Sequence, residues 1–256
     1  MERFFRGITT ADETIYTKPY TIGRTIEIQS SKGLVSIEPF PKRAFDIVLS
    51  GLGLILSSWL WALIWIAIIM EDGFPVLIRQ RRIGKNGRIF ISLKFRSMVE
   101  STLDEKVNTQ ATENDPRITK VGRFLRKTAL DELPQLMNIF IGDMSFVGPR
   151  ALLPDEVEVN GDCRNTKINN IPGYEKRVMV RPGLTGIAQI YAPRDLPRKH
   201  KFKYDLLYIR KTGFLFDLKL ILISFLVTFN GTWERRSAKL RFLKNKRQTQ
   251  QGMIMG

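Results

Sequence analysis

The run "IVLSGLGLILSSWLWALIWIAIIM", Ile47 to Met70, decides how the rest of the chain is arranged, because it contains no charged residue. It exceeds the ~18–20 apolar residues that mark a membrane-embedded helix. The alternative is the core helix of a globular domain. A run this long and uncharged, carrying Trp59, Trp61 and Trp65, argues against that and predicts a membrane protein.

The flanks bear on how the segment sits. "PKRAF" precedes it, and "RQRR" with Lys85 and Arg88 follows closely. Lys and Arg accumulate on the cytoplasmic side of membrane helices, and here both flanks are basic. A re-entrant helix that returns both ends to one face resolves this conflict; a spanning helix is the alternative. Each half, Ile47–Ser57 and Trp59–Met70, is too short to cross a ~30 Å hydrocarbon core at ~1.5 Å per residue. Gly51, Gly53 and the Ser57-Ser58 pair are places for a bend, since serine hydroxyls bond back to helix carbonyls.

Of 256 residues, 41 are Lys or Arg against 25 acidic, a formal net charge of +16. The partner should therefore be anionic: nucleic acid, an acidic membrane or a phosphorylated substrate. The single cysteine, Cys163, excludes an internal disulfide and suits a reducing compartment. With His200 the only histidine, a serine triad would have to use it, and Cys/His zinc sites lack ligands. Catalysis falls to carboxylates, Lys, Arg and an oxygen-bound metal.

Beyond the membrane segment, "FPVLIRQRRIGKNGRIFISLKFRSM" predicts two strands around a tight turn at Asn86-Gly87. Residues 99–117 are polar and predict a mobile loop over the site. Ile118, Val121, Phe124 and Leu125 then recur at helical spacing among Lys120, Arg123, Arg126 and Lys127, which predicts a short basic amphipathic helix. Leu133, Leu136, Met137 and Phe140 predict a second helix, stopped at Gly142.

Pro134 must lie in the first turn of that second helix, where its missing N–H leaves no bond unmade. This places Asp131 at the N-cap, with Glu132, Leu133 and Pro134 at the first three helical positions. Both carboxylates would then occupy the positive end of a helix, which also accommodates phosphate. The plain reading is a cap beside a solvated acid; the sharper one is a nucleophile and a metal ligand facing phosphates.

Further on, "RVMVRPGLTGIAQI" predicts strand, turn at Arg181-Pro182-Gly183, and strand. "FLFDLKLILISFLVTF", Phe214 to Phe229, is short for a span and is interrupted by Asp217 and Lys219. It is expected in the membrane interface, with a core helix as the alternative. His200 falls in the basic stretch "PRKHK" and is expected to be an exposed loop residue.

The ordered blocks "KRAFD", "RQRRIGKNG" with "LKFRSM", "DPRITKVGRFLRKTALDELPQLMN", "GDMSFVGPR", "RPGLTG" and "FDLK" carry a resemblance. From about Lys42 to Phe229 the chain resembles the bacterial sugar transferase family, the monotopic phosphoglycosyl transferases. The resemblance implies an enzyme of the bacterial inner membrane with its catalytic domain facing the cytoplasm. Such an enzyme moves a sugar 1-phosphate from a nucleotide sugar, with uridine the expected base, to polyprenyl (undecaprenyl) phosphate. That is the first membrane step of exopolysaccharide, capsule, O-antigen or glycoconjugate synthesis. Carried over by motif, Asp131 is the nucleophile, Glu132 its partner and the Mg²⁺ ligand, and Lys94, Arg126, Arg150 and Arg181 bind substrate phosphate. Asp143 could bind metal or cap the following turn, and the cap is favoured.

Two positions depart from the family pattern. Its common Ser-Pro break in the membrane helix is here Ser58-Trp59, and its "GPRP" ending is here Arg150-Ala151.

The expected fold is α+β and mainly helical: a re-entrant N-terminal membrane helix, a short β-hairpin and interfacial amphipathic helices. Residues 1–40 form an extension, 41–72 the membrane helix, 73–232 the cytosol-facing catalytic domain and 233–256 a basic tail directed at anionic headgroups or solvent. The stretch "MERFFRGITTADETIYTKPY" has no apolar h-region, so no cleavable signal is expected there. The rival function is a non-catalytic, basic membrane-surface protein that binds anionic lipid or nucleic acid. Counterion release could bind such a chain to DNA, but no recognition module is visible and the apolar run would go unexplained, so no nucleic-acid partner is expected.

Overall fold

The structure, a computed structural model, describes residues 26–30, 33–37, 40–99, 115–154, 156–159, 165–193 and 196–229. The basic tail, most of the polar stretch 99–117, residues 1–25 and Cys163 lie outside the described residues. Within the stretch read as an extension, β1 (Ile26–Ser30) and β2 (Gly33–Ile37) pair antiparallel, Ile26 opposite Ile37.

The long apolar segment is one helix, α1, Phe40–Asp72. Among the described residues it is the one helix long and apolar enough to cross a membrane, with a mean hydropathy of 2.2 over an 18-residue stretch. Its helical run is unbroken, so the bend expected at Gly51, Gly53 or Ser57-Ser58 is not present as a break in the helix. Ser50 Oγ donates to the Asp46 carbonyl at 2.6 Å and Ser58 Oγ to the Ile55 carbonyl at 2.8 Å. Val48, Leu52, Ile55, Leu56, Trp59, Leu63, Ile66 and Met70 are exposed along one helical face, and exposed Ile47 and Trp65 widen the outward surface beyond it.

The opposite face of α1 packs on the body of the protein. Ile64 and Ile68 are buried with Val76, Phe95 and Leu125. Nearer the N-terminus, small residues admit large ones: a side chain built on Gly53 would meet Leu136 at 3.1 Å, and one on Gly51 would meet Phe140 at 3.4 Å.

Both ends of α1 are tied to that same body. Lys42 Nζ donates to the Val147 carbonyl and Tyr208 Oη, and Arg43 donates to the carbonyls of Ile139 and Phe140. At the other end, Glu71 accepts from the backbone N–H groups of Lys120 and Val121 at 2.7 Å each. Asp72 pairs with Arg96 at 2.8 Å.

After α1, β3 (Leu77–Ile83) and β4 (Ile89–Phe95) form the expected hairpin, with Leu77 opposite Phe95 and Ile83 opposite Ile89. The connection, residues 84–88, is a 3₁₀ turn over Lys85–Gly87 in which Asn86 and Gly87 have positive φ, 56° and 74°. The expected basic helix is α2, Lys120–Thr128, capped by Thr119 Oγ1 accepting from Gly122 N. Next come α3 (Gln135–Ile141), ended by Gly142 at φ 102°, and β5 (Ser145–Val147). A small antiparallel pair follows, β6 (Val157–Val159) with β7 (Asn165–Lys167).

The strand–turn–strand expected over "RVMVRPGLTGIAQI" is corrected. Arg177 and Val178 end a short helix, α4 (Tyr174–Val178). Only Gly183–Thr185 is extended (β8), and Ile187–Tyr191 is helical (α5). The strand β8 pairs parallel with β5, Ser145 opposite Gly183. The approach is so close that a Cβ on Gly183 would lie 2.0 Å from the Gly148 nitrogen. The glycine in this strand records a close backbone approach.

His200, expected in a loop, lies half-buried in α6 (Arg198–Lys211). The last described helix is α7 (Phe214–Phe229). One face of α7 enters the core through Leu220 and Val227, while Leu215, Leu222, Phe225 and Leu226 are exposed. Its interrupting acid, Asp217, is buried, which the interfacial expectation did not anticipate. The described architecture is thus mainly helical with four two-stranded sheets.

Candidate active site

The Asp131-Glu132 pair does not cap a helix. Leu130–Glu132 is a 3₁₀ turn, and the α-helix begins beyond Pro134 with no side chain bonded at its cap. The reason lies one residue upstream. Ala129 closes α2 in the left-handed conformation, φ 57°, its N–H bonded toward Arg126 and Leu125. That reversal lets Leu130 and Leu133 pack into the cluster around Phe95 and Leu125. Of the two intervening carboxylates, Glu132 lines the pocket described below, whereas Asp131 lies beside it and is not among the lining residues.

The floor of the site is the β3–β4 hairpin. Side chains two residues apart share a sheet face, so Gln80 and Arg82 face the same way, as do Ser92 and Lys94, and the register sets Gln80 opposite Ser92. Lys94 Nζ donates to Glu132 Oε1 at 2.6 Å. A small pocket beside this pair is lined by Arg82, Ser92, Lys94, Glu132, Gln135, Met144, Arg150, Ala151, Gly183 and Leu184. Arg82 Nη1 donates to the Ala151 carbonyl at 3.0 Å and Nη2 to Gln80 Oε1 at 2.5 Å.

The electrostatics separate the two acids. Burial pushes Asp131 up to about 6, assisted by the charge of Glu132 and opposed by Lys94 and Arg126. Burial pushes Glu132 the same way, but Lys94, Arg150 and Arg82 outweigh it and hold that carboxyl below its usual range. Two adjacent carboxylates with pKa values driven apart are the arrangement expected where they take different chemical roles. Burial, with Arg150 beside it, brings Arg82 down to about 10.

The four bases read from the sequence are distributed unequally. Lys94 and Arg150 line the pocket. Arg126 acts electrostatically on Asp131, while its Nη1 lies 3.1 Å from Met98 Sδ. Arg181 is turned elsewhere: its Nε donates to the Gly142 carbonyl at 2.7 Å, and it is not among the pocket residues. Asp143 accepts from Asn138 Nδ2 at 3.4 Å in the turn after α3. Arg82, Ser92 and Gln135 complete the pocket without having been singled out. The period-2 alternation of the hairpin would have placed Arg82 on the face of Lys94.

Among the described residues no three His, Cys, Asp or Glu side chains converge as a metal cage. The donor set here is two adjacent carboxylates beside a cationic pocket. It fits Mg²⁺, which takes one or two protein carboxylates and completes its shell with phosphate and water.

A sequence profile for the family described as "Bacterial sugar transferase" matches residues 37–231. A UDP-glucose:undecaprenyl-phosphate glucose-1-phosphate transferase of Escherichia coli is 45% identical over 195 residues, covering 74% of this chain and 40% of that protein. An undecaprenyl-phosphate galactose phosphotransferase of Salmonella typhimurium is 36% identical over 196 residues, 71% of this chain and 39% of that protein. The exopolysaccharide production protein ExoY of Rhizobium meliloti is 38% identical over 194 residues, 70% of this chain and 81% of that protein. The chain thus aligns with about 40% of the length of the first two relatives and most of the third.

Proposed function

We propose, since the chain belongs to the bacterial sugar transferase family, that it is a phosphoglycosyl transferase. It moves a sugar 1-phosphate from a nucleotide sugar, with UDP the expected carrier, to polyprenyl phosphate. The observation that carries this reading is the Asp131-Glu132 pair in its 3₁₀ turn, Glu132 beside Lys94, Arg82 and Arg150 and Asp131 beside Lys94 and Arg126, with their two ionisations driven apart.

In the first step an Asp131 carboxylate oxygen attacks the sugar-bearing phosphorus of the donor. The new bond is Oδ–P; the bond that breaks joins that phosphorus to the bridging oxygen, which leaves with the nucleoside monophosphate. In the second step an oxygen of polyprenyl phosphate attacks the same phosphorus and the Asp131 carboxylate leaves. A covalent acyl phosphate separates one transfer between mutually repelling phosphates into two steps. It also lets donor and acceptor use one site in turn.

The non-bridging oxygens of a transferring phosphoryl group need positive charge around them. Lys94, Arg82 and Arg150 supply it from the pocket, and Arg126 from the side of Asp131. Arg181 is assigned to the turn after α3. Glu132 is the residue that would hold Mg²⁺, which when bound supplies a Lewis acid that neutralises phosphate charge.

The protein is read as monotopic, in the bacterial inner membrane with the catalytic domain facing the cytoplasm. Support comes from α1, roughly 50 Å long at ~1.5 Å per residue. Both its ends are bonded to one body while a broad apolar surface faces outward. The exposed faces of α3 and α7, with Phe140, Ile141, Leu222 and Phe225, extend the lipid contact.

The test is to incubate the protein in detergent with a labelled UDP-sugar and Mg²⁺, quench, digest, and find the phosphosugar mass on the peptide containing Asp131. Asp131→Asn should lose both the adduct and the release of nucleoside monophosphate. Label on another residue during proven turnover would refute the assignment.

A further inference from the structure

We infer that Arg177, neutralised by Asp205, is a positioning residue that fixes Arg150 over the site; this rests on the phosphotransfer reading above. The strap Gly148–Leu152 has its main chain held residue by residue. Gly148 N donates to the Thr185 carbonyl at 2.9 Å, Gly183 N to the Pro149 carbonyl at 2.8 Å, and Ile83 N to the Leu152 carbonyl at 2.8 Å. The two carbonyls between are held by guanidinium groups: that of Ala151 by Arg82 at 3.0 Å, and that of Arg150 by Arg177 Nη2.

Arg177 and Asp205 are buried, each side chain 4% exposed, and joined Nε to Oδ2 at 2.8 Å. The guanidinium also lies over the Phe202 ring, 5.0 Å from its centroid. A charge pair in such a place is not a packing device, since apolar side chains of similar volume serve packing as well or better. What the pair provides is direction. A planar fork bonds a carboxylate along one edge and still presents an N–H to a second acceptor, here the carbonyl of Arg150. Arg150 itself is exposed on the pocket side, where it acts on Glu132. Its flexible side chain reaches a transferring phosphate only from a fixed main chain, and a displacement near 1 Å can cost up to ~10²-fold in rate.

Arg177→Lys separates this role from mere stability. Lysine keeps the charge opposite Asp205 and loses the second arm of the fork. We measure nucleoside monophosphate release from a UDP-sugar, UDP binding and thermal unfolding for wild type, Arg177→Lys, Arg150→Ala and the double variant. The expected result is a loss in kcat/KM of roughly 10- to 100-fold for Arg177→Lys with unfolding little changed. The double variant should be no worse than Arg150→Ala alone, because neighbours that act through one group are not additive. Losses that multiply, or an undiminished Arg177→Lys, overturn the inference. Should Arg177→Lys not fold, the pair is removed together as Arg177→Met with Asp205→Leu and the same cycle is run against Arg150→Ala. Wild-type turnover without coupling refutes the positioning role alone; a wild type that neither turns over nor binds UDP refutes the functional reading and this inference with it.

Discussion

Lys42 and Asp217 lie 175 positions apart in sequence and meet at 2.5 Å, joining the first turn of α1 to α7. Their side chains are 11% and 5% exposed, and Tyr208 Oη, 3.0 Å from each, completes the cluster beside the Val147 carbonyl. The basic start of the membrane segment and the acid that interrupts the last apolar helix are therefore two halves of one contact. It anchors the membrane helix to the layer that carries β5 and the strap.

Removing one half should be worse than removing both. Lys42→Met leaves Asp217 buried without its cation, a loss of about 3–5 kcal/mol for a pair of this burial. Lys42→Met with Asp217→Leu should recover most of that loss. Denaturant unfolding in detergent micelles measures both, and equal destabilisation of the single and double variants would contradict the pairing.

The split between the two acids predicts a pH profile. As the proposed nucleophile Asp131 must be ionised to attack, and burial raises its pKa to about 6, so the rate should fall as pH drops through about 6. Lys94 holds that value down, so in Lys94→Met the acid limb should move to higher pH while the rate falls. Stability has the opposite sense. The folded pKa is above the usual carboxylate value, so the fold favours the protonated acid and loses stability as pH rises from about 4 to 6. Asp131→Asn should accordingly unfold at a higher temperature than wild type at neutral pH while being inactive.

Much of this arrangement is legible in the sequence where the signal is local. The uncharged run became α1, Asn86-Gly87 became the hairpin turn, and the spacing of Leu136, Met137 and Phe140 became α3. The cap at Asp131 was misread because Pro134 restricts the helix start without choosing between a capped α-helix and a preceding 3₁₀ turn. That choice was made by Ala129, a non-glycine residue at φ 57°, which carries no sequence mark. The strands read around Arg181-Pro182-Gly183 failed because β8 is set by close backbone contact with Gly148. Asp217 looked interfacial because its cation lies at the other end of the chain.

The proposed role of Glu132 as Mg²⁺ ligand predicts metal dependence. Chelation should abolish turnover, and Glu132→Gln should require more Mg²⁺ for half-maximal rate, by at least the ~10-fold that loss of even an outer-shell partner costs. Full activity in chelator would remove Glu132 from this role. Lys94→Met releases Glu132 from its 2.6 Å ion pair, so its Mg²⁺ requirement should fall or stay level while kcat falls.

The placement of α1 can be tested from outside. Pro41, in the first turn of α1, and Arg79, beyond its end, are exposed. In a background with Cys163→Ser, Pro41→Cys and Arg79→Cys should both react with a membrane-impermeant maleimide in inside-out vesicles and neither in intact spheroplasts. Glu71 and Asp72 are bonded to Lys120, Val121 and Arg96 of the body, while Arg43 binds the end of α3 in that same body. A helix that crossed the bilayer would have to give up one set of these bonds, leaving charged groups unpaired at a cost of about 1–3 kcal/mol or more each. Labelling from opposite sides would mean that this cost is met and the helix spans; labelling from one side means that both ends of α1 lie on the face proposed for the chemistry.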